Sequence, residues 1–531
     1  MSKGDFLIRA RHIDIYIKTK ILLNIQQLFS IKMQKLQKIY FHTQGCTANV
    51  YESEAMAGML AKVGYEIVNS LNSNNDNISN TNNKNDVSNA NGADMIILNI
   101  CTVKGNKTAL DAMKNLHNQF ADKKFVITGC IPKEAIADIR KIIPDASLCS
   151  TTNMKSIVET VEETFAGNMI EAMSYKREIK VNLPRIRKNK VVGITPILQG
   201  CAHFCTFCST RLVKGRVLSF PSDEIIADVK QNVVDGCKEI WLTSQDNGTY
   251  MLDHQKITAL PELLNAILAV EGDFKVRLGM MNPTHILPVL DKIIEVFNHP
   301  KMFKFIHVPI QAGSDKILDA MKRQYTVEEF RTIIDKFRAM HPDITISTDI
   351  ICGFPGETED EFNHTAEAVK QMRFDVINLA RFAPRAYTVA AKMPEQIHGR
   401  VKKERTRVIT KLYRQIAAMH NQRWIDWQGE VIIDEISDYS PDGIKTWNAR
   451  NYAYKLVIIK DSNNEFSLGD KLSVKIKRAT AFDLRAEVVG VVEKYANKIS
   501  TINKIDATSI STSMSEKVVS DKLENELVIV N

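Results

Sequence analysis

Three cysteines, Cys201, Cys205 and Cys208, fall within one short stretch of the chain. Thiolates this close together can grip three corners of a cubane iron–sulfur cluster and leave the fourth iron open to a small molecule. Structural zinc is the rival reading. It wants four ligands, and His203 could supply the fourth. Against zinc, His203 lies inside the first cysteine interval, where wrapping one ion is awkward, and no second cysteine pair follows nearby.

Three more cysteines share a different pattern. Cys46, Cys101 and Cys130 each closely follow a short apolar run. If those runs are parallel strands, their ends share one sheet edge, and the three thiols converge there. Such a trio suits a second cluster, with Gly45 and Gly129 letting the backbone come close to a ligand. A buried free thiol is the plainer reading for any one of them; the shared placement of all three favours ligands. Cys149, Cys237 and Cys352 lack the pattern, and the last two read as core.

The elements that must position these residues follow from hydrophobic period. Residues 39–41, 95–98 and 125–127 read as strands, and Ala55, Met59, Leu60 and Val63 form a helical stripe. This gives an open parallel α/β domain over residues 38–150. It is interrupted by an insert at 71–92, ten of whose 22 residues are Asn; so polar a segment reads as a disordered surface loop. Residues 151–190 read as a linker. Six strands are expected at 194–198, 239–243, 275–278, 303–308, 344–351 and 376–382, alternating with amphipathic stretches. Six such units suit an open sheet or a partial barrel, with ligands at the C-terminal strand ends. They occupy residues 191–422, ending in a basic helix with Lys402, Lys403, Arg405 and Arg414. Residues 423–494 are rich in β-branched side chains and predict a small antiparallel β-barrel. Residues 495–531 read as a disordered tail.

The chain has 531 residues, 44% of them hydrophobic, and a formal net charge of +8 from 70 Lys and Arg against 62 Asp and Glu. This composition excludes wholesale disorder and fits about three or four domains. The basic excess fits a nucleic-acid partner without demanding one. No apolar run approaches the ~18–20 residues of a membrane span, so no membrane association is expected. Nine cysteines with no secretory signal suggest thiols kept reduced in the cytoplasm. Residues 1–37 are uncertain. Their basic and apolar composition resembles a transit peptide, Asp5 and Asp14 are atypical of one, and Met33 is an alternative start.

The cysteine loop at Cys201, set on six strand–helix units, resembles the radical S-adenosylmethionine superfamily. The whole of 39–493 resembles the methylthiotransferases, which join a three-cysteine domain, a radical-SAM partial (β/α)6 barrel and a TRAM barrel that binds RNA. Supporting motifs run from Gly45 to Asn49, Cys101 to Lys104, Gly200 to Cys201, Cys208 to Arg211, Pro309 to Asp315 and Asp349 to Thr358. The strings at 101–104 and 208–211 are similar to the archaeal and eukaryotic type, which converts N6-threonylcarbamoyladenosine beside the tRNA anticodon to its 2-methylthio form. The lack of a C-terminal membrane anchor fits the archaeal version better than the animal one. Gln245 departs from the family, which usually has an acid there.

The resemblance implies two 4Fe–4S clusters and S-adenosylmethionine. The Cys201, Cys205 and Cys208 cluster would cleave S-adenosylmethionine to a radical that abstracts hydrogen from the adenine ring. The Cys46, Cys101 and Cys130 cluster would hold or supply the sulfur, which a second S-adenosylmethionine methylates. The anticodon-loop base must leave its stack to be reached. An electron donor such as ferredoxin or flavodoxin and a sulfur donor are implied too. Expected contacts to S-adenosylmethionine are Asp246, Gln311, Gly313, Ser314, Gly353 and Glu357. Turn geometry alone would explain the glycines, and helix capping would explain Glu357. Candidate RNA contacts are Lys402, Lys403, Arg405, Trp447, Lys455, Lys475, Lys477 and Arg478. Three alternatives stay open: action on isopentenyladenosine or on a ribosomal protein, a different radical reaction, and a zinc-stapled RNA-binding protein.

Overall fold

The computed structural model describes residues 37–68, 88–101, 106–385, 387–437, 440 and 443–495. The extension at 1–36, most of the Asn-rich insert, the residues after Cys101 and the tail from 496 lie outside them. The chain divides into two compact units.

The first unit is a six-stranded sheet in the order β2-β1-β3-β4-β5-β6. Its strands are β1 (Lys38–Thr43), β2 (Glu66–Ile67), β3 (Met95–Cys101), β4 (Lys124–Cys130), β5 (Ser147–Ser150) and β6 (Glu171–Ala172). All pairings are parallel. Met95 to Ile100 in β3 are fully buried, the near-continuous apolar run that a parallel strand covered on both faces requires. The segment expected as a linker contributes to this unit: helix Ile157–Phe165 and β6 lie within it, and the unit continues to Lys188.

Helix Thr47–Lys62 differs from the expected one-sided stripe. It is buried nearly all round, including Glu52, Ser53 and Glu54, whereas Val63 is exposed. One face is covered by the extended chain near 184–188. A Cβ on Gly58 would stand 2.2 Å from Pro184 O. Ile186 N donates to Glu54 O, and Lys188 N donates to Glu54 Oε1 at 2.9 Å.

The second unit begins with β7 (Val192–Pro196) and the antiparallel pair β8 (Leu198–Gln199) and β9 (Leu218–Ser219). It continues through β10 (Glu239–Thr243), β11 (Lys275–Leu278), β12 (Phe305–His307), β13 (Thr345–Cys352) and β14 (Val376–Arg381). Strands β11-β10-β7 and β12-β13-β14 pair in parallel, and a parallel bridge from Val276 to Met302 links the two sets. The six strands thus stand in sequence order, as a partial (β/α)6 barrel requires.

The same unit ends in a closed barrel, β15-β16-β17-β19-β18, formed by β15 (Gln428–Ile436), β16 (Lys445–Arg450), β17 (Leu456–Asp461), β18 (Lys471–Ala479) and β19 (Leu484–Glu493). Four pairings are antiparallel, and β17 with β19 is parallel. The expected wholly antiparallel barrel is therefore corrected in one pairing, for a geometric reason. A closed ring with an odd number of strands cannot alternate direction throughout. Leu472, Val474 and Ile476 alternate into its core with Trp424 and Trp447.

The barrel meets the partial barrel through a buried charge. Lys455 Nζ donates to Asp375 Oδ1 at 2.8 Å, and Ile346 N donates to Asp375 Oδ2 at 3.0 Å. Burial opposes the Asp375 charge, but Lys455 and His420 hold its carboxyl well below the ordinary range.

Two measurements check these contacts. Lys455→Met strands a buried carboxylate and is expected to cost about 3 kcal/mol, the low end for a broken buried pair, because Arg423 remains 3.7 Å from Asp375. Asp375→Asn combined with Lys455→Met should recover much of that loss in urea unfolding. A double variant no better than the single one would contradict the pairing. The second concerns pH. Burial raises the Glu54 carboxyl to about 7, whereas the unfolded chain loses that proton near ~4.3. The native state then holds a proton that the unfolded state has shed. Stability is highest below the unfolded value and falls by about 3 kcal/mol as pH rises toward the folded value. Glu54→Gln should flatten that decline, and an unchanged pH slope would contradict it.

Candidate active site

In the first unit the three cysteines stand at the C-terminal edge of neighbouring strands. Cys101 ends β3 and Cys130 ends β4, and the two are register partners. Their thiols hydrogen-bond each other, which with burial pushes the Cys130 thiol far up. Cys46 follows β1 and caps helix Thr47–Lys62. Its N–H and its thiol both donate to Asn49 Oδ1, at 3.2 and 3.3 Å.

Two buried amides fix this edge. Asn49 Nδ2 donates to Asn99 Oδ1 at 2.9 Å, and Asn99 Nδ2 donates to Asn49 O at 2.9 Å and to Ser53 Oγ at 2.9 Å. They tie the helix that starts at Cys46 to the strand that ends at Cys101. The two glycines have a different use from the one expected of them. A Cβ on Gly45 would stand 2.3 Å from Asn49 Oδ1, and one on Gly129 would stand 2.3 Å from Asn99 Oδ1. Both make room for the amides, and Gly129 also takes a φ of +98° that favours glycine.

Beside this edge lies a buried charge cluster that sequence reading missed. Glu52 Oε1 accepts from Lys214 Nζ at 3.2 Å, from Lys180 Nζ at 3.5 Å and from Thr151 Oγ1 at 2.5 Å. Lys180 also donates to Thr151 O. Burial opposes the Lys214 charge, but Cys130, Glu52 and Cys46 together raise its pKa. Two lysines against one glutamate leave net positive charge facing the thiols, which fits an anionic thiolate-bound group. The only sequence signal was position: Lys214 lies shortly after Cys208. Among the other cysteines, Cys149, Cys237 and Cys352 are all buried, and Cys149 donates to Asn153 O at 3.2 Å.

In the second unit, Cys201, Cys205 and Cys208 follow β8 on a loop held from several sides. Gly200 N donates to Gln245 Oε1 at 2.8 Å, so the residue that departs from the family pattern secures the loop entrance. Thr206 N donates to Met321 O at 3.1 Å, and Thr206 Oγ1 donates to Ala320 O at 2.9 Å. Arg323 Nη1 donates to Cys205 Sγ at 3.3 Å, and His203 N donates to Cys201 Sγ at 3.4 Å. Such donors stabilise thiolate sulfur, so the set fits an iron–sulfur cluster. Burial, then Asp246, pushes the free Cys201 thiol up to about 12.

The expected S-adenosylmethionine contacts fare differently. Asp246 is buried, and its Oδ1 accepts from Gly248 N and Asn282 N, both at 3.0 Å. Its Oδ2 faces His203 Nε2 at 3.4 Å. Oδ1 of this carboxylate is committed to loop structure, and only Oδ2 is not. Gln311 has a φ of +69°, unusual for a side chain other than glycine. Its buried Oε1 has no hydrogen-bond partner among the described residues. Gly313 is a packing position: a Cβ there would stand 2.6 Å from Thr365 Cα. Ser314 is buried before helix Asp315–Ala320. Gly353, at φ +76°, donates to Glu357 Oε2 at 2.6 Å. Glu357 also accepts from Arg405 Nη1 at 2.7 Å, so it braces its loop from inside.

Three expected RNA contacts are corrected. Arg405 is buried against Glu357, Lys455 against Asp375, and Trp447 in the barrel core, where its Nε1 donates to Asp461 Oδ2 at 2.9 Å. Lys402 packs over Phe382 and donates to Phe382 O at 3.1 Å. Lys403, Lys477 and Arg478 are exposed, and Lys475 is half-exposed beside Asp426.

Gly129→Ala tests the crowded edge. The left-handed conformation and the clash with Asn99 together are expected to cost about 2–4 kcal/mol, read as a lower urea midpoint of the metal-free protein. An unchanged midpoint would contradict the packing described.

Comparison with known proteins agrees with this architecture. Residues 195–369 match the radical SAM superfamily, residues 38–83 match the uncharacterized protein family UPF0004, and residues 430–489 match the TRAM domain. The human threonylcarbamoyladenosine tRNA methylthiotransferase is 35% identical over 477 residues, covering 88% of this chain and 76% of that one. The probable threonylcarbamoyladenosine tRNA methylthiotransferase of Pyrococcus abyssi is 34% identical over 458 residues, covering 85% and 99%. Among solved structures, the radical S-adenosylmethionine methyltransferase TsrM from Kitasatospora setae has a TM-score of 0.48 at 13% identity, covering 67% of this chain and 75% of that one, too remote to bear on function. Among the described residues no helix is long and apolar enough to cross a membrane. With a 4Fe–4S cluster and S-adenosylmethionine implied by its central domain, the chain belongs to the threonylcarbamoyladenosine tRNA methylthiotransferase family of radical SAM enzymes.

Proposed function

We propose that this chain converts N6-threonylcarbamoyladenosine in the tRNA anticodon loop to its 2-methylthio form, using two 4Fe–4S clusters. Cys201, Cys205 and Cys208 would hold one, and Cys46, Cys101 and Cys130 the other. When bound, these groups supply the one-electron reduction of S-adenosylmethionine and the sulfur that replaces hydrogen on the adenine ring. The observation that carries the second site is the register pairing of Cys101 with Cys130 at the edge beside Cys46. Ferredoxin or flavodoxin as electron donor, and a separate sulfur donor, complete the reaction.

The chain's own residues then have assignable work. Gln245, Thr206 and Arg323 hold the Cys201–Cys208 loop in one shape. Gln311, with its unpartnered oxygen, is the best-placed of the expected contacts to S-adenosylmethionine. Asp246, Glu357, Gly313 and Gly353 act through loop geometry. Lys180 and Lys214 offset negative charge on the three-cysteine edge. Lys403, Lys475, Lys477 and Arg478 are left to meet tRNA phosphates.

Mass analysis of tRNA nucleosides tests the reading. The wild type should add one sulfur and one methylene to threonylcarbamoyladenosine. The triple variant Cys46→Ala, Cys101→Ala, Cys130→Ala should still cleave S-adenosylmethionine but leave the nucleoside unmodified. Methylthiolated product from that variant would overturn the sulfur role of this edge. Lys477→Ala with Arg478→Ala should weaken tRNA binding and lower its salt slope by about 1–2; an unchanged slope would remove them from the RNA face.

A further inference from the structure

Beside the Cys201–Cys208 loop, three ligand-bearing side chains from separate parts of the second unit converge. His203 comes from the loop itself, Asp246 follows β10 and His285 follows β11. One ligand atom from each lies within 4.8 Å of the others. His203 Nε2 is 3.4 Å from Asp246 Oδ2, and the two imidazole rings have centroids 4.5 Å apart. Asp246 and His203 are buried, and His285 is partly so.

The polar atoms here are incompletely satisfied. Asp246 Oδ1 accepts two backbone N–H groups, but among the described residues Oδ2 meets only His203 Nε2, at the long distance of 3.4 Å. His285 Nε2 is buried and has no hydrogen-bond partner among the described residues. A carboxylate so deeply buried needs a compensating positive charge. Arg323, the cation near His285, is turned to Cys205 Sγ at 3.3 Å and Tyr325 Oη at 3.1 Å. A proton on His203 would serve Asp246 but leave His285 Nε2 unpartnered. A single cation would serve all three atoms at once.

We propose that His203, Asp246 and His285 bind one divalent transition-metal ion of the zinc type, distinct from either iron–sulfur cluster. Two imidazoles and one carboxylate are donors that suit zinc and disfavour magnesium or calcium, which prefer oxygen. Asn282 keeps its Oδ1 on Thr284 N at 3.3 Å and points its Nδ2 at His203 Nε2, 2.6 Å away, so binding the ion would move this amide off His203 and leave the fourth position to water. The ion would pin the middle of the Cys201–Cys208 loop to the ends of β10 and β11, a positioning role set apart from the cluster itself. The site stands on these residues alone and does not depend on which nucleoside the enzyme modifies.

The test uses the holoenzyme, with both cysteine sets loaded so that those six thiols do not compete; Cys149, Cys237 and Cys352 are buried. After equilibration with zinc and removal of excess, elemental analysis should find about one zinc per chain. X-ray absorption at the zinc edge should show nitrogen and oxygen neighbours and no sulfur. His285→Ala should lose that zinc while keeping its acid-labile sulfide. His203→Asn should lose it too, which keeps the test open if the first variant does not fold. No bound zinc in the wild type means a proton shared by His203 and Asp246, and overturns the proposal. So does zinc retained in both variants, or a zinc shell containing sulfur.

Discussion

Parallel strand pairing is the constraint on which the rest of this molecule depends. Strands that all run one way deliver all their C-terminal ends to one edge, so residues far apart in sequence meet there. The first unit uses this to bring Cys101 and Cys130 into register, with Cys46 after the adjoining strand. The second unit uses it to set Gln245, Asp246, Gln311 and the cysteine loop at the ends of its six strands. In both, the chemistry-bearing residues sit at or just past the ends of the strands, and a second layer of buried polar contacts must hold them. In the first unit that layer is the Asn49–Asn99 amide pair; in the second it is Gln245, Thr206, Arg323 and Asp246.

Buried charge is the other theme. Glu52 with Lys180 and Lys214, Glu357 with Arg405, and Asp375 with Lys455 are each closed pairs or trios in low-dielectric surroundings. Breaking such a pair costs more than the pair itself contributes, because the remaining partner stays buried. These contacts therefore specify geometry more than they add stability. Glu357 with Arg405 locks the loop between β13 and its following helix, and Asp375 with Lys455 docks the C-terminal barrel.

How much of this was legible in the sequence depends on the range of the interaction. The six central strands appear within about two residues of their expected bounds, because each is a local apolar run punctuated by Gly, Pro or Asn. The cysteine sets were legible for the same reason: each follows such a run. Side-chain roles set by distant partners were not. Lys455, Arg405 and Trp447 looked like surface RNA contacts, since their partners Asp375, Glu357 and Asp461 cannot be assigned from neighbouring residues. The same holds for His285, which meets His203 only through the fold. Helix Thr47–Lys62 hid its all-round burial because its covering chain near Pro184 arrives more than a hundred residues later. The single parallel pairing in the C-terminal barrel follows from ring closure, which no local pattern encodes.

The central claim is that two separate sets of three cysteines each hold a 4Fe–4S cluster. Anaerobic reconstitution followed by iron and sulfide analysis tests it most directly, comparing the wild type with a variant carrying Cys201→Ala, Cys205→Ala and Cys208→Ala. About eight irons per chain falling to about four, with sulfide in step, is the result expected of two cubane sites. About four falling to none would contradict it, leaving Cys46, Cys101 and Cys130 without a cluster.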